Sequence, residues 1–251
     1  MDTNQIKLVA FDFDGVVAET IKEWYLLGLN AFNHMGGGLE SSAYGEECFR
    51  LARSFLKNAE DCYFVFKSIK DNRVDFASIT QDEFNRRALP FFEKEGKIIS
   101  QKIRLLRVEL REDDRESWLE LFSVFPEIIT VLKKVMDHYE VVIATTRDRA
   151  SVSAILEEQE TFINSRKIIS REFSIDKREQ MKFIAGEFGV SFKGILFIDD
   201  ILEHLKLVGS LGVNVALASW GYSNKKQLVE AKEKEIPILK GPHDILGCLG
   251  I

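Results

Sequence analysis

The amino-acid sequence predicts an α/β fold, in which a parallel β-sheet carries helices on both faces and a group of helices is inserted after the first strand. Three observations predict this arrangement. Short apolar runs alternate with helical patterns through the carboxy-terminal half of the chain. Most of these runs are apolar on both faces, which is typical of strands buried in a parallel sheet. Between Val17 and Pro126, in contrast, the chain is charged and shows almost no strand pattern.

The predicted sheet begins with the run LVAF at residues 8–11. Its other predicted strands are the later apolar runs EVVIAT, KIIS, GILFIDD, VNVALA and IPIL. Helical patterns separate these runs, and the first of them, PEIITVLKKVMDHY, begins at Pro126, a favoured first helical residue. The next two are predicted near residues 149–165 and 177–188, and two more at EHLKLVGSLG and SNKKQLVEAKEK.

The segment after the first strand is predicted to be a domain of its own. Its helical patterns cover residues 20–35, 44–70, 81–95 and 98–122. A connection of roughly a hundred residues is far longer than a loop, so it needs its own structure. We therefore predict one domain from residues 1–17 and 126–251, and an inserted helical domain at residues 18–125.

The composition is that of an ordinary soluble globular protein, with 45% apolar and 29% charged residues in a chain of 251. A net charge of −6 argues against a generic partner that is nucleic acid or an anionic membrane. No apolar run is long enough to span a membrane, and the first residues lack a secretory pattern. Three cysteines without CxxC spacing indicate reduced thiols, so we expect a cytoplasmic protein.

Acidic pairs close two of the predicted strands. Asp12 and Asp14 follow the first strand, and Asp199 and Asp200 end the strand GILFIDD. The carboxyl ends of parallel strands form the ligand crevice of such sheets, so neighbouring strands would bring up to four carboxylates together. Like charges 4 Å apart repel by about 4 kcal/mol at an effective dielectric near 20, so the cluster needs a cation. Oxygen ligands without a nearby cysteine or histidine favour Mg²⁺.

A third acidic pair serves as an internal control. Asp113 and Asp114 lie in LREDDRES, where no apolar run precedes them. We interpret this pair as part of a solvated helix face.

A hydroxyl and an ammonium group are placed to join the acidic cluster. Thr145 follows the buried run VVIA, although Thr146 competes for the same role. Lys177 opens a helix, where the helix dipole disfavours a cation, and Arg178 and Lys182 are its rivals. A hydroxyl, an ammonium and Mg²⁺ together would bind a phosphoryl group and neutralise its charge.

The order of these motifs resembles that of the haloacid dehalogenase superfamily. FDFDGVV, VVIAT, the lysine before a helix and LFIDD are similar to its four motifs, and SLGVNVALASWGY resembles its phosphoglycolate-phosphatase-like branch. The resemblance spans residues 7–17 and 126–222. It implies a Rossmann-like core, with the inserted helices as a cap over the site.

The resemblance also implies roles for particular residues. Asp12 would be the nucleophile that forms an aspartyl-phosphate, and Asp14 the general acid and base. Thr145 and Lys177 would bind the transferring phosphoryl group. The Mg²⁺ ligands implied are Asp12, the backbone carbonyl of Asp14, Asp199 and Asp200. The substrate would be a small phosphorylated metabolite, and the protein a monomer or homodimer.

Asp14 favours phosphoryl transfer, because dehalogenases and phosphonate-cleaving relatives lack an acid at that position. Two residues depart from the family pattern: Glu19 replaces the usual aspartate, and His204 stands where many relatives carry asparagine or aspartate. We interpret His204 as a residue of a loop or helix start, not as a ligand.

Three other functions stay open at this point. A phosphomutase would use the same chemistry. A receiver-like signalling module fits less well, because such a domain is about half this length. A binding protein with a vestigial site also fits less well, because all expected catalytic side chains are present. The cationic candidates in the insert are interpreted as solvated helix residues: Arg50, Arg53, Arg86 and Arg87.

Overall fold

A computed structural model describes residues 5–251 and contains eight β-strands in that range. The strands are β1 (Leu8–Phe11), β2 (Ala18–Glu19), β3 (Ser123–Val124), β4 (Glu140–Ala144), β5 (Ile168–Ile169), β6 (Ile195–Asp199), β7 (Asn214–Ala218) and β8 (Ile238–Leu239). Six of them form one sheet in the order β5-β4-β1-β6-β7-β8, and every pairing in it is parallel. The other two, β2 and β3, form a separate antiparallel pair.

Helices make up most of the remaining described chain. Six precede β3: α1 (Ile21–His34), α2 (Ala43–Arg53), α3 (Cys62–Asp71), α4 (Gln81–Phe91), α5 (Lys97–Asp113) and α6 (Arg115–Leu119). Six follow it: α7 (Ile128–Met136), α8 (Arg149–Glu158), α9 (Lys177–Glu187), α10 (Leu202–Gly209), α11 (Lys225–Glu233) and α12 (Asp244–Leu249). Within residues 5–251, none is long and apolar enough to cross a membrane.

The central strands are buried on both faces, as their apolar sequences predict. All residues of β1 and β6 are buried. Leu8 and Ala10 pack in one cluster with Met181 of α9 and Leu205 of α10. Because side chains alternate along a strand, Val9 and Phe11 face the opposite side of the sheet. Helix α7 packs against β4. The predicted fold class, a parallel sheet with helices, is confirmed.

Two long predicted helices are interrupted in the structure. The predicted helix at residues 44–70 divides because Asn58 and Asp61 form a capping box at a short 3₁₀ turn between α2 and α3. The run at residues 98–122 divides at Asp114, whose side chain accepts the backbone N–H of Ser117 and so starts α6. These breaks depend on single polar side chains that the apolar periodicity does not register.

The prediction that Pro126 is the first residue of a helix is wrong. Glu127 has a left-handed backbone with φ of 68°, and α7 begins only at Ile128. Since a left-handed residue cannot continue a right-handed helix, Pro126 belongs to the preceding turn.

The chain separates into two compact units. Of the described residues, one unit contains 5–19 together with Ser123–Ile251, and the other contains Thr20–Phe122. In the first unit, Glu19 and Ser123 are partners in the antiparallel pair of β2 and β3. The chain therefore leaves and re-enters this unit through adjacent strands. That the helical unit acts as a cap stays a prediction.

The helical unit contains a buried ion pair. Arg107 Nε and Nη2 donate to the two carboxylate oxygens of Glu23 at 2.6 and 3.0 Å, and Trp118 Nε1 donates to Glu23 Oε1 at 3.2 Å. The guanidinium groups of Arg107 and Arg53 each lie 5.4 Å from the ring centroid of Trp24.

Arg53 therefore corrects one interpretation from the sequence. It is only 6% exposed, because its guanidinium packs on Trp24 and donates to the Leu56 carbonyl at 3.1 Å. Arg50, Arg86 and Arg87 are exposed, as the sequence predicts.

We expect Arg107→Met to lower the free energy of unfolding by about 3–5 kcal/mol, because it removes the bidentate partner of a fully buried carboxylate. The matched control is Lys97→Met, which removes an exposed pair with Glu93 and should change stability by less than about 0.5 kcal/mol. Urea unfolding followed by tryptophan fluorescence measures both, since two of the three tryptophans, Trp24 and Trp118, lie in this unit. Equal losses in the two variants would contradict the assignment.

Candidate active site

The two acidic strand ends are neighbours in the sheet. β1 pairs with β6 in register from Leu8 with Ile195 to Phe11 with Ile198. The ladder extends one residue further, because the Asp12 N–H donates to the Ile198 carbonyl at 2.8 Å. Asp12 and Asp199 therefore lie at the same edge of the sheet, as the sequence predicts.

A tight turn after Asp12 depends on two glycines. Gly15 has a φ of 82°, a conformation that residues with a side chain rarely adopt. A Cβ on Gly15 would lie 2.2 Å from Asp200 Oδ2, and one on Gly221 would lie 2.4 Å from the Gly15 carbonyl oxygen. Both positions admit only glycine, which lets the Asp200 carboxylate lie directly against this turn.

Lys177 joins Asp12 in the buried site. Its Nζ donates to Asp12 Oδ1 at 3.0 Å and to the Ala144 carbonyl, and lies 3.9 Å from Asp199 Oδ2. The residue is only 1% exposed although it is the first residue of α9. These contacts explain a cation in a position that the helix dipole disfavours.

The two rivals of Lys177 are directed elsewhere. Arg178 pairs with Asp176 at 2.8 Å, and Lys182 pairs with Glu179 at 2.8 Å, each on the exposed side of α9. The structure thus brings Lys177, and neither rival, to Asp12.

Thr145 is held at the end of β4, the strand beside β1. Its N–H donates to the Ile169 carbonyl at 2.9 Å, and its carbonyl accepts Gln180 Nε2 at 2.8 Å. The Thr145 hydroxyl oxygen accepts the Arg147 N–H at 3.1 Å, whereas Thr146 is partly exposed. The phosphate-binding roles of Thr145 and Lys177 stay predictions.

Arg147 was not identified from the sequence, although it contacts a predicted catalytic residue. Its Nε donates to Asp14 Oδ1 at 2.8 Å, and both side chains are buried. The one sequence feature that points to Arg147 is its position, two residues after Thr145 and just beyond a buried strand. This ion pair fixes the Asp14 carboxylate at one of its two oxygens.

His204 also belongs to the site. Its Nδ1 lies 2.9 Å from Asp199 Oδ2, while Asp199 Oδ1 accepts the Ile201 N–H at 2.8 Å. The sequence places His204 correctly at a helix start, in the first turn of α10, but does not reveal this contact. The two residues are five positions apart, and this spacing lets the imidazole reach the carboxylate at the end of β6.

Asp200 has different surroundings from Asp199. Its Oδ2 accepts the Tyr222 N–H at 2.7 Å, and its carbonyl accepts the Ser223 hydroxyl at 2.6 Å. These contacts connect the β6 end to the loop after β7. A role for Asp200 in binding the metal stays a prediction, as does that of the Asp14 backbone carbonyl.

Burial and neighbouring charges shift the pKa values of two carboxyl groups in the site. Burial raises the pKa of Asp12, although the Lys177 ammonium opposes it, and the nearby Asp199 raises it further. Burial alone would also raise the pKa of Asp199, but His204, Lys177 and the Ile201 N–H outweigh it, so this pKa is lowered. Asp199 is thus held ionised, while Asp12 ionises at a cost that a cation would offset.

The donor set fits a divalent cation. Donor atoms of Asp12, Asp199 and His204 lie within 4.8 Å of one another. Six charged side chains of the site are buried: Asp12, Asp14, Asp199, Asp200, Arg147 and Lys177. When all four carboxyl groups are ionised, they exceed the two cationic side chains by two negative charges. Carboxylate oxygens are the ligands that Mg²⁺ prefers.

The internal control behaves as the sequence predicts. Asp113 and Asp114 are both exposed, and Asp114 is the N-cap of α6.

A profile of the haloacid dehalogenase-like hydrolases matches residues 6–207, and the chain belongs to this family. The receiver-like signalling module is thereby set aside. No curated protein matches the chain in sequence.

Solved structures share the fold over nearly the whole chain. A predicted phosphoglycolate phosphatase from Haemophilus somnus is 18% identical, with a TM-score of 0.64 over 97% of this chain and 98% of its own. A haloacid dehalogenase-like family hydrolase from Streptococcus pneumoniae is 14% identical, with a TM-score of 0.63 over the same shares. A hydrolase from Pseudomonas syringae is also 14% identical, with a TM-score of 0.59 over 97% and 98%. At these identities the likeness shows the fold.

Proposed function

We propose that the protein is a Mg²⁺-dependent phosphatase that hydrolyses a small phosphorylated metabolite through an aspartyl-phosphate on Asp12. The observation that carries this proposal is the buried group formed by Asp12, Lys177 and Asp199. A further buried carboxylate, Asp14, lies two residues after Asp12 in the sequence. Membership of a hydrolase family and the likeness to a predicted phosphoglycolate phosphatase support it.

The chemistry follows from the positions of the two acids. A carboxylate oxygen of Asp12 attacks phosphorus and the bond to the leaving oxygen breaks. Asp14 enters this step protonated and gives the leaving oxygen its proton. Asp14, now a carboxylate, takes a proton from water, and the water oxygen attacks the phosphorus of the aspartyl-phosphate. Inorganic phosphate leaves and Asp12 is regenerated.

Cationic groups of the chain support both steps. The Lys177 ammonium, already within 3.0 Å of Asp12, would neutralise charge on the phosphoryl oxygens as they approach the carboxylate. Mg²⁺, held by Asp12 and Asp199, would supply further electrostatic stabilisation of the same oxygens. Arg147 holds Asp14 in one orientation through Oδ1.

We expect slow hydrolysis of p-nitrophenyl phosphate that needs Mg²⁺ and stops in excess chelator. Asp199→Asn and Asp200→Asn should each raise the Mg²⁺ concentration for half-maximal activity by about tenfold or more, since each removes a carboxylate from the site. Asp113→Asn is the matched control and should leave this concentration unchanged. Full activity in chelator, or equal effects at all three positions, would contradict the metal assignment.

The inserted helical unit is proposed to set substrate preference, because binding energy from remote groups of a substrate can be converted into rate. The paired residues Glu19 and Ser123 allow a clean excision, in which residues 20–122 are replaced by an Asn-Gly turn that closes β2 and β3 as a hairpin. We expect the protein that lacks residues 20–122 to keep weak hydrolysis of p-nitrophenyl phosphate. It should lose the preference that the full-length protein shows within a panel of phosphorylated metabolites. A folded variant with unchanged preference would assign specificity to the other unit.

The phosphomutase alternative is tested by the same panel. A phosphatase releases inorganic phosphate from a single substrate, whereas a mutase returns the phosphoryl group to a sugar.

A further inference from the structure

His204 gives the candidate metal site a ligand that an all-oxygen site lacks. The residue is buried in the first turn of α10, and its Nδ1 lies 2.9 Å from Asp199 Oδ2. Asp12 completes a set of three donor atoms that lie within 4.8 Å of one another. The set is therefore two carboxylates and one imidazole.

The separations agree with one shared ion. Two adjacent ligands of an octahedral ion, each at about 2.1 Å, are separated by about 3 Å, and two opposite ligands by about 4.2 Å. The 2.9 Å between His204 Nδ1 and Asp199 Oδ2 is a hydrogen-bond distance in this structure, and it is also compatible with two adjacent ligands of one ion. The limit of 4.8 Å for the whole set leaves room for either arrangement at Asp12.

The other histidines do not compete for this role. His34 and His138 are exposed. The His243 side chain is 54% exposed, and its Nε2 lies 3.1 Å from Glu127 Oε2. Of the four histidines, His204 is the buried one.

We propose that His204 is a nitrogen ligand of the cation in this site, and that it shifts the site's preference from Mg²⁺ towards later divalent ions such as Co²⁺. This proposal rests on the proposed function, because the site is the same. Imidazole nitrogen binds first-row transition ions more strongly than it binds Mg²⁺, and affinity rises from Mn²⁺ through Co²⁺. An imidazole nitrogen in place of an oxygen ligand thus raises the ratio of Co²⁺ to Mg²⁺ affinity.

The test compares the wild type with His204→Asn by isothermal titration calorimetry, using Co²⁺ and Mg²⁺ separately. Asparagine offers an oxygen at a similar position, so we expect the Kd for Co²⁺ to rise by about tenfold or more and that for Mg²⁺ to change by less than about threefold. The visible absorption of bound Co²⁺ should change in parallel. His138→Asn is the matched control for adventitious binding to surface histidine and should alter neither constant.

Two outcomes would overturn the proposal. Unchanged Co²⁺ affinity would remove His204 from the ligand set. Equal weakening of both ions would mean that His204 only orients Asp199 by hydrogen bonding. Calorimetry needs no turnover, so a failure here with intact phosphatase activity leaves the proposed function standing, and a failure of that function leaves the binding result interpretable.

A second measurement covers the case in which His204→Asn does not fold. In the wild type, two-bond ¹H–¹⁵N correlation spectra resolve the ring nitrogens of histidines, and Zn²⁺ is a diamagnetic probe. We expect Zn²⁺ to change the ¹⁵N chemical shift of Nδ1 in one buried histidine. The signal of His138, which is identified by its absence from the spectrum of His138→Asn, should not change. No shift at any buried ring nitrogen under saturating Zn²⁺ would contradict the proposal.

Discussion

Asp12→Asn is expected to reduce phosphatase turnover to below about 10⁻⁴ of the wild-type value, because no carboxylate remains to form the covalent intermediate. Asparagine keeps the shape of the side chain, and its amide oxygen can still accept the Lys177 ammonium that now contacts Asp12 Oδ1. The loss should therefore appear in kcat while the circular dichroism spectrum stays the same. Initial rates with p-nitrophenyl phosphate at saturating Mg²⁺ measure it.

The matched control is Asp113→Asn, which removes an exposed carboxylate of the same kind. It should retain full activity. An Asp12→Asn protein with more than about a tenth of the wild-type rate would remove Asp12 as the nucleophile.

Asp14→Asn is expected to separate the two steps of the reaction. With p-nitrophenolate as leaving group, the first step scarcely needs a proton donor, whereas the second still needs a base to activate water. General-base help is worth about 10²–10⁴-fold, so we expect a burst of p-nitrophenolate followed by turnover slowed by that factor. Stopped-flow absorbance measures the burst amplitude against enzyme concentration.

The contact with Arg147 makes this variant a clean one. Arg147 Nε donates to Asp14 Oδ1, and the amide oxygen of asparagine can accept the same hydrogen bond. Slow turnover without a burst would mean that Asp14 acts before the phosphoenzyme forms, and unchanged turnover would remove it from the mechanism.

The sheet and the acidic strand ends could be predicted because their signal is local. The short apolar run ILFI, repeated among similar runs that alternate with helical patterns, predicts a buried strand, and an acid that ends such a strand lies at the edge of the sheet. That the strands of Asp12 and Asp199 are neighbours needed the family resemblance, and the structure confirms it.

Arg147 and His204 could not be predicted because their contacts are tertiary. Arg147 follows a strand in the same way as many solvated residues, and its contact with Asp14 joins residues that are 133 positions apart in the sequence. His204 lies in the first turn of a helix, where the sequence does not reveal which way the side chain faces. The burial of Arg53 is not predictable from the sequence for a related reason, since the ring of Trp24 on which its guanidinium packs belongs to another helix.

The most direct test of the central claim is intact-protein mass spectrometry of Asp14→Asn, quenched in acid during turnover of p-nitrophenyl phosphate. The account predicts one added phosphoryl group, localised after digestion to the peptide that contains Asp12, and no such species in the double variant with Asp12→Asn. Phosphate on any other residue, or none while the burst is observed, would contradict an aspartyl-phosphate on Asp12.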